Sequence, residues 1–175
     1  MNTSLVLTLV GPDRPGLVES VAQIVATHGG NWLESRLARL GGQFAGIVRV
    51  SLPKVREPEL RAALAGLESK GLRVVVAPDP AAVPAAKAGA SVRLELVGQD
   101  RPGIVHQVTH VLAAHQVNVE ELTTECVEAP MAGGMLFQAQ AELLIPAGTD
   151  MATLRSDLEK IAADLMVDLR FAEVK

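Results

Sequence analysis

Hydrophobic and polar positions alternate along the opening residues: Leu5, Leu7 and Leu9 fall on one side of an extended chain and Val6, Thr8 and Val10 on the other. That is the period of a strand with one buried face. The period then changes. Leu17, Val18, Val21, Ile24 and Val25 are spaced i, i+1, i+4, i+7, i+8, one stripe of an amphipathic helix. Pro15 suits a first helical position, where a missing N–H costs nothing, and Gly29-Gly30 after His28 supplies a left-handed stop, so the spacing predicts a helix over about 15–28. Two strands follow, the second clearest where Phe44, Val48, Val50 and Leu52 share a face and Arg49 turns out. Glu57-Pro58-Glu59 ahead of Leu60, Leu64 and Leu67 opens another helix, and Leu72–Val76 reads as a closing strand.

The whole pattern then returns. Gly11-Pro12-Asp13-Arg14-Pro15-Gly16-Leu17-Val18 reappears 87 residues later as Gly98-Gln99-Asp100-Arg101-Pro102-Gly103-Ile104-Val105. The same offset carries the Leu5, Leu7, Leu9 strand onto Val92, Leu94 and Leu96, His28 onto His115, Asn31 onto Asn118 and Glu34 onto Glu121. It also carries the helical stripe onto Ile104, Val105, Val108, Val111 and Leu112, a helix expected over about 102–115. From Phe44 and Pro53, matched by Phe137 and Pro146, the offset is 93, so the second copy carries an insertion near Ala129–Gly133, a candidate longer loop or bulge. Its later strand sets Phe137, Ala139, Ala141, Leu143 and Ile145 inward and Gln138, Gln140 and Glu142 outward. Asp150 precedes a helix with Leu154, Leu158, Ile161 and Leu165, and the last strand spans Met166–Val174.

The order β-α-β-β-α-β, twice, is α+β: two ferredoxin-like domains, each an antiparallel four-stranded sheet with two helices on one face. The expected boundaries are 1–77 and 91–175. Residues 78–90, with three prolines, many alanines and no hydrophobic period, form a semi-stiff linker.

Composition narrows the function. Sixteen basic against twenty acidic residues give a formal net charge of −4, which removes the attraction behind most nucleic-acid binding. Trp32, Phe44, Phe137 and Phe171 are the only aromatic residues, so single-stranded bases have almost nothing to stack on. The lone Cys126 excludes an internal disulfide, suits a reducing compartment and reads as a small buried hydrophobe. No apolar run approaches the ~20 residues that span a bilayer, and the amino terminus lacks a basic leader, so a cytoplasmic protein with no membrane or direct nucleic-acid partner is expected. No nucleophile, cofactor or metal motif stands out, so neither an enzyme nor a cofactor is expected. His106 and His110, four apart on one helix, lack a third ligand and have Glu19 and Gln23 as their counterparts in the first copy, so they read as an exposed helix face.

The candidate chemistry lies at the Asp-Arg-Pro-Gly turn. Free N–H groups at the following helix N-terminus can hold a small carboxylate, glycine admits close approach, and the aspartate can cap the helix or accept from an ammonium group. Asn31 and Asn118, each both donor and acceptor, recur at matched positions.

G-x-D-R-P-G at a strand-to-helix turn, followed by His and then Asn at the second strand, resembles the ACT domain in both halves of the chain. The stretch Asn31–Phe44 is similar to the glycine cleavage system transcriptional repressor family, also built of two ACT domains. The resemblance implies amino-acid binding at an interface between paired domains, through Asp13, Arg14, Pro15, Gly16, Leu17 and Asn31 and through Asp100, Arg101, Pro102, Gly103, Ile104 and Asn118. It further implies a repressor acting through a protein partner such as a LysR-type activator, with glycine or serine the favoured ligand and a homodimer the expected assembly. Deformylases and phosphatases carrying such domains fuse them to catalytic domains, for which no residues remain here. The alternative is a ligand-free interaction and dimerisation module in which the turn is only a turn.

Overall fold

The computed structural model describes residues 1–80, 89–129 and 134–173. The chain divides into two compact units, Met1–Val83 and Pro84–Lys175. In the first, β1 (Asn2–Pro12), α1 (Leu17–Thr27), β2 (Asn31–Leu40), β3 (Gln43–Pro53), α2 (Glu57–Ala65) and β4 (Arg73–Pro78) follow one another. Short 3₁₀ turns at Lys54–Arg56 and Gly66–Lys70 flank α2. The second unit repeats the order with β5 (Gly89–Gln99), α3 (Ile104–Ala114), β6 (Asn118–Glu128), β7 (Met135–Pro146), α4 (Met151–Leu165) and β8 (Val167–Glu173). The sheets run β2-β3-β1-β4 and β6-β7-β5-β8, antiparallel throughout, which is the ferredoxin-like α+β arrangement the pattern predicts.

Alternation decides which strand faces are buried. Leu5, Leu7, Leu9, Val48, Val50 and Leu52 lie under Leu17, Val21 and Val25 of α1 and Leu60 and Leu64 of α2 in one core. Val92, Leu94, Leu96, Leu143 and Ile145 lie under Ile104, Val108 and Leu112 of α3 and Leu154 and Leu158 of α4 in the other. At about 25 cal/mol per Å² of apolar surface, these two clusters supply the main folding drive of each unit. The helical stripes are narrower than their spacing implies: Val18 and Val105 remain 43% and 41% exposed.

Two local expectations change. The first helices begin at Leu17 and Ile104, two residues after Pro15 and Pro102, because Gly16 and Gly103 are left-handed (φ 86° and 94°) and break the helical run. The prolines therefore belong to the turn. Cys126 is exposed, on the edge strand β6. Around the expected linker, Pro78 lies in β4, the Asp79 N–H donates to the Ser4 carbonyl and Gly89 lies in β5. Residues 81–88, and 130–133 of the expected insertion, lie outside the described residues.

The helix ends show how one fold meets the same need twice. Gly29 takes φ 70° after His28, as the glycine pair predicts, but its counterpart is Gln116 at φ 57°, a side chain forced into left-handed backbone. Both edge strands slip register at the same place, between Trp32 and Glu34 and between Val119 and Glu121.

Candidate functional site

Each turn is fixed from two directions. The Asp13 N–H donates to the Gly42 carbonyl and the Asp100 N–H to the Met135 carbonyl, both at 2.9 Å, tying the turn to the neighbouring hairpin. On the helix side, the Gly16 carbonyl accepts from the Ser20 N–H at 2.9 Å and the Gly103 carbonyl from the Gln107 N–H at 3.0 Å. The first N–H groups of α1 and α3 have no partner inside the helix, and no side chain caps either end. Asp13 and Asp100 therefore do not serve as helix caps. Leu17 and Ile104 are 3% and 2% exposed and point into the cores, so only their backbone is offered to a ligand.

The carboxylates meet different neighbours. Asp13 Oδ2 lies 2.7 Å from Nε of Arg39, near the end of β2. The matching residue on β6 is Cys126, whose thiol is raised above its usual range by lost hydration and by the neighbouring Asp100 carboxylate with which it hydrogen-bonds. Arg14 reaches across its own unit to donate from Nη2 to the Lys70 carbonyl at 2.7 Å. Nothing in the sequence places Arg39 or Cys126 beside the turn, because only the strand pairing brings them there.

The asparagines do not join the turns of their own repeats. Asn31 opens β2 and Arg39 stands eight residues further along the same strand, roughly 27 Å away at the rise of an extended chain. Asn118 opens β6 in the same way, opposite Leu144. Both asparagines are exposed. The turn and the asparagine thus sit at opposite ends of each module.

Beside the second turn lies a cleft that sequence reasoning missed. It runs between α3 and the β6–β7 half of the sheet, is narrow, with a cavity volume of about 30 Å³, and is walled by hydrocarbon from Ile104, Val105, Val108, Val119, Leu122, Phe137, Ala139 and Ala141. In the first unit the corresponding region holds Trp32 and Leu37, both packed against the core. Leu37 crosses Gly46 so closely that a Cβ there would lie 2.8 Å from its Cδ2.

His106 and His110 have ring centroids 6.2 Å apart, and among the described residues no group of three potential metal ligands forms. His115 is engaged elsewhere, its Nε2 lying 3.0 Å from Asp157 Oδ2 on α4.

The ACT domain model matches residues 3–76 and 92–172, nearly all of both units. The chain belongs to the ACT domain family. Its two ACT domains are 29% identical over 163 residues to the glycine cleavage system transcriptional repressor of Escherichia coli (strain K12), covering 92% of this chain and 85% of that protein. Among solved structures, a protein of unknown function from Galdieria sulphuraria superposes with a TM-score of 0.85 at 30% identity, each chain covered completely. A structure assigned as a glycine cleavage system transcriptional repressor superposes at 0.71 with 20% identity over 100% of this chain and 99% of that one, which speaks to the fold. The chain is thus a tandem ACT-domain regulatory protein related to that repressor. No helix among its described residues is long and apolar enough to cross a membrane.

Proposed function

We propose that the protein is an amino-acid-responsive repressor of the glycine cleavage type, cytoplasmic and non-catalytic, that binds its ligand at the Asp-Arg-Pro-Gly turn and acts through a protein partner such as a LysR-type activator. The observation that carries this reading is the doubled turn itself: an aspartate pinned by its N–H to the next hairpin, a left-handed glycine and an uncapped helix N-terminus, in both domains. A free amino acid carries the complementary pair of charges on one carbon, its ammonium suited to the aspartate and its carboxylate to the helix N–H groups. Glycine and serine are the first ligands to try, given the relative's name. Asn31 and Asn118, remote from their own turns, enter such a site from a second molecule, in keeping with a homodimer.

Thermal denaturation against the twenty amino acids tests the reading. A ligand at ten times its Kd stabilises the fold by about 1.4 kcal/mol, roughly 6–11 °C for a domain of this size. The shift is expected to weaken in Asp100→Asn or Asp13→Asn, which keep the backbone anchors, whereas valine at Gly16 or Gly103 strains a left-handed backbone whatever the ligand does. A flat response to all twenty sinks the amino-acid reading. It leaves a protein-interaction module, for which the exposed Val10, Ile47 and Val75 of the first domain's sheet already offer a surface.

A further inference from the structure

We infer that the outer sheet faces of the two domains are complementary docking surfaces, the first domain's face taking the second domain's face of another copy of this chain. This goes beyond the proposed function and stands whether or not the turns hold a ligand.

The helices cover one side of each sheet, and the register fixes what stands on the other. In the first domain Val6 lies opposite Arg49 and Ala77, Thr8 opposite Ile47 and Val75, and Val10 opposite Ala45 and Arg73. Val10, Ile47 and Val75 are 42%, 50% and 51% exposed, a cluster of apolar side chains of the kind that marks an interaction surface. In the second domain the same rows hold Arg93 opposite Glu142 and Ala172, Glu95 opposite Gln140 and Arg170, and Val97 opposite Gln138 and Asp168.

The sign of the charge reverses between the copies. At matched positions Arg49 becomes Glu142 and Arg73 becomes Asp168, while on the edge strands Arg36 becomes Thr123 and Ala38 becomes Glu125. Arg49 is paired with Asp79, and Arg93 with Glu142. With those pairs set aside, Arg36, Arg73 and Glu34 leave the first face at +1, whereas Glu95, Glu121, Glu125, Asp168 and Arg170 leave the second at −3. An acidic face of this kind repels its own copy and attracts the basic one, and such complementarity selects the partner.

Area decides how many contacts are needed. Four strands spaced about 4.8 Å apart, with about six residues in common at 3.4 Å each, give a face of roughly 400 Å². One face-to-face contact then covers roughly 800 Å² in total, short of the roughly 1,200–2,000 Å² of stable complexes, and two cover about 1,600 Å². A two-fold pair of chains makes the contact twice, the first domain of each copy on the second domain of the other, and closes without leaving a face over.

Sedimentation of the full chain over a concentration series, with circular dichroism as the check on folding, tests this. The native chain is expected to sediment as a dimer. Ile47→Asp or Val75→Asp is expected to raise the dimer Kd about ten-fold or more, since a charge buried without a partner is costly. Two charge-reversed chains make the sharper test, one carrying Arg36→Glu with Arg73→Glu and the other Glu125→Lys with Asp168→Lys. Each alone sets like charge against like and is expected to run as a monomer where the native chain is dimeric. Mixed in equal amounts, they are expected to form a dimer with one chain of each kind, because every contact then joins opposite charges again. A native chain that stays monomeric at every concentration overturns the inference. A dimer broken by Ile47→Asp but indifferent to the second-domain reversal overturns it too, in favour of two first-domain faces together. So does a mixture that stays monomeric, or a native dimer that none of these variants weakens.

Discussion

The two domains share an element order, a register, a bulge and a turn, yet one has closed over its helix–sheet seam and the other has not. In the first, Trp32 and Leu37 lie against the core and Arg39 covers Asp13. In the second, Val119, Thr124 and Cys126 stand at those places, and a cleft adjoins the turn. Strand and helix geometry therefore survive duplication while the side chains of one edge strand decide whether a module is sealed or open. The sealed copy shows what the open one lacks.

The largest way to probe that contrast is to hollow the two cores at one matched position. Leu7→Ala, at 0% exposure, is expected to cost toward the upper end of the roughly 2–5 kcal/mol range for such truncations, and Leu94→Ala, on the cleft wall, toward the lower end because its surroundings are already loosely filled. Trp32, the single tryptophan, reports the first domain by fluorescence, while circular dichroism follows both. Equal losses would remove the packing difference.

Next in size is Gly46→Ala. Its Cβ would meet the Arg36 carbonyl and Leu37, whereas the second domain already holds Ala139 at this position. Overpacking of this kind costs about 1–3 kcal/mol, seen as a lower urea midpoint of the tryptophan transition alone.

Smaller effects come from the helix stops. Gln116→Gly relieves a left-handed glutamine and is expected to stabilise the second domain by about 0.5–1 kcal/mol, and Gly29→Gln to destabilise the first by a similar amount, both read from thermal midpoints. No change in either would mean the backbone relaxes at no cost.

Least is expected from acid. Asp150, which caps the second domain's α4, is held below the ordinary carboxyl range by the Thr153 hydroxyl and N–H, and Asp157, on that helix, by Lys160 and then His115. In the first domain Asp79 is lowered by Ser4 and then Arg49. A pKa depressed in the folded state contributes stability that is complete above the unfolded value, about 3.9, and fades as pH falls through the folded one. Melting midpoints of both domains should hold at pH 5–7 and drop below pH 4, and Asp150→Ala should flatten the slope of the second domain only.

Much of this was legible in the letters. Period-two runs such as Leu5, Leu7, Leu9 and their echo Val92, Leu94, Leu96 fix buried faces without tertiary knowledge, and the repeat fixes topology by occurring twice. The helix starts differ by two residues because a proline reads as helical while the adjoining glycine leaves the helical region. Cys126 reads as buried by residue type, whereas its place on an edge strand leaves it exposed. The Asp13–Arg39 pair and the cleft were out of reach for a common reason. Both depend on which side chains of β2 and β6 face the helices after the register slip, and a one-residue slip reverses that assignment.

The Arg39 guanidinium also sets up a contest. A group tethered to the same chain meets its partner at an effective concentration of the order of millimolar, so any free ammonium reaching for Asp13 competes with a resident rival that never diffuses away. Under the proposed function, the first turn would then answer only to ligand in great excess, and the second at lower concentration. One chain built from a repeated module would in this way carry two thresholds, set by a single residue on each edge strand.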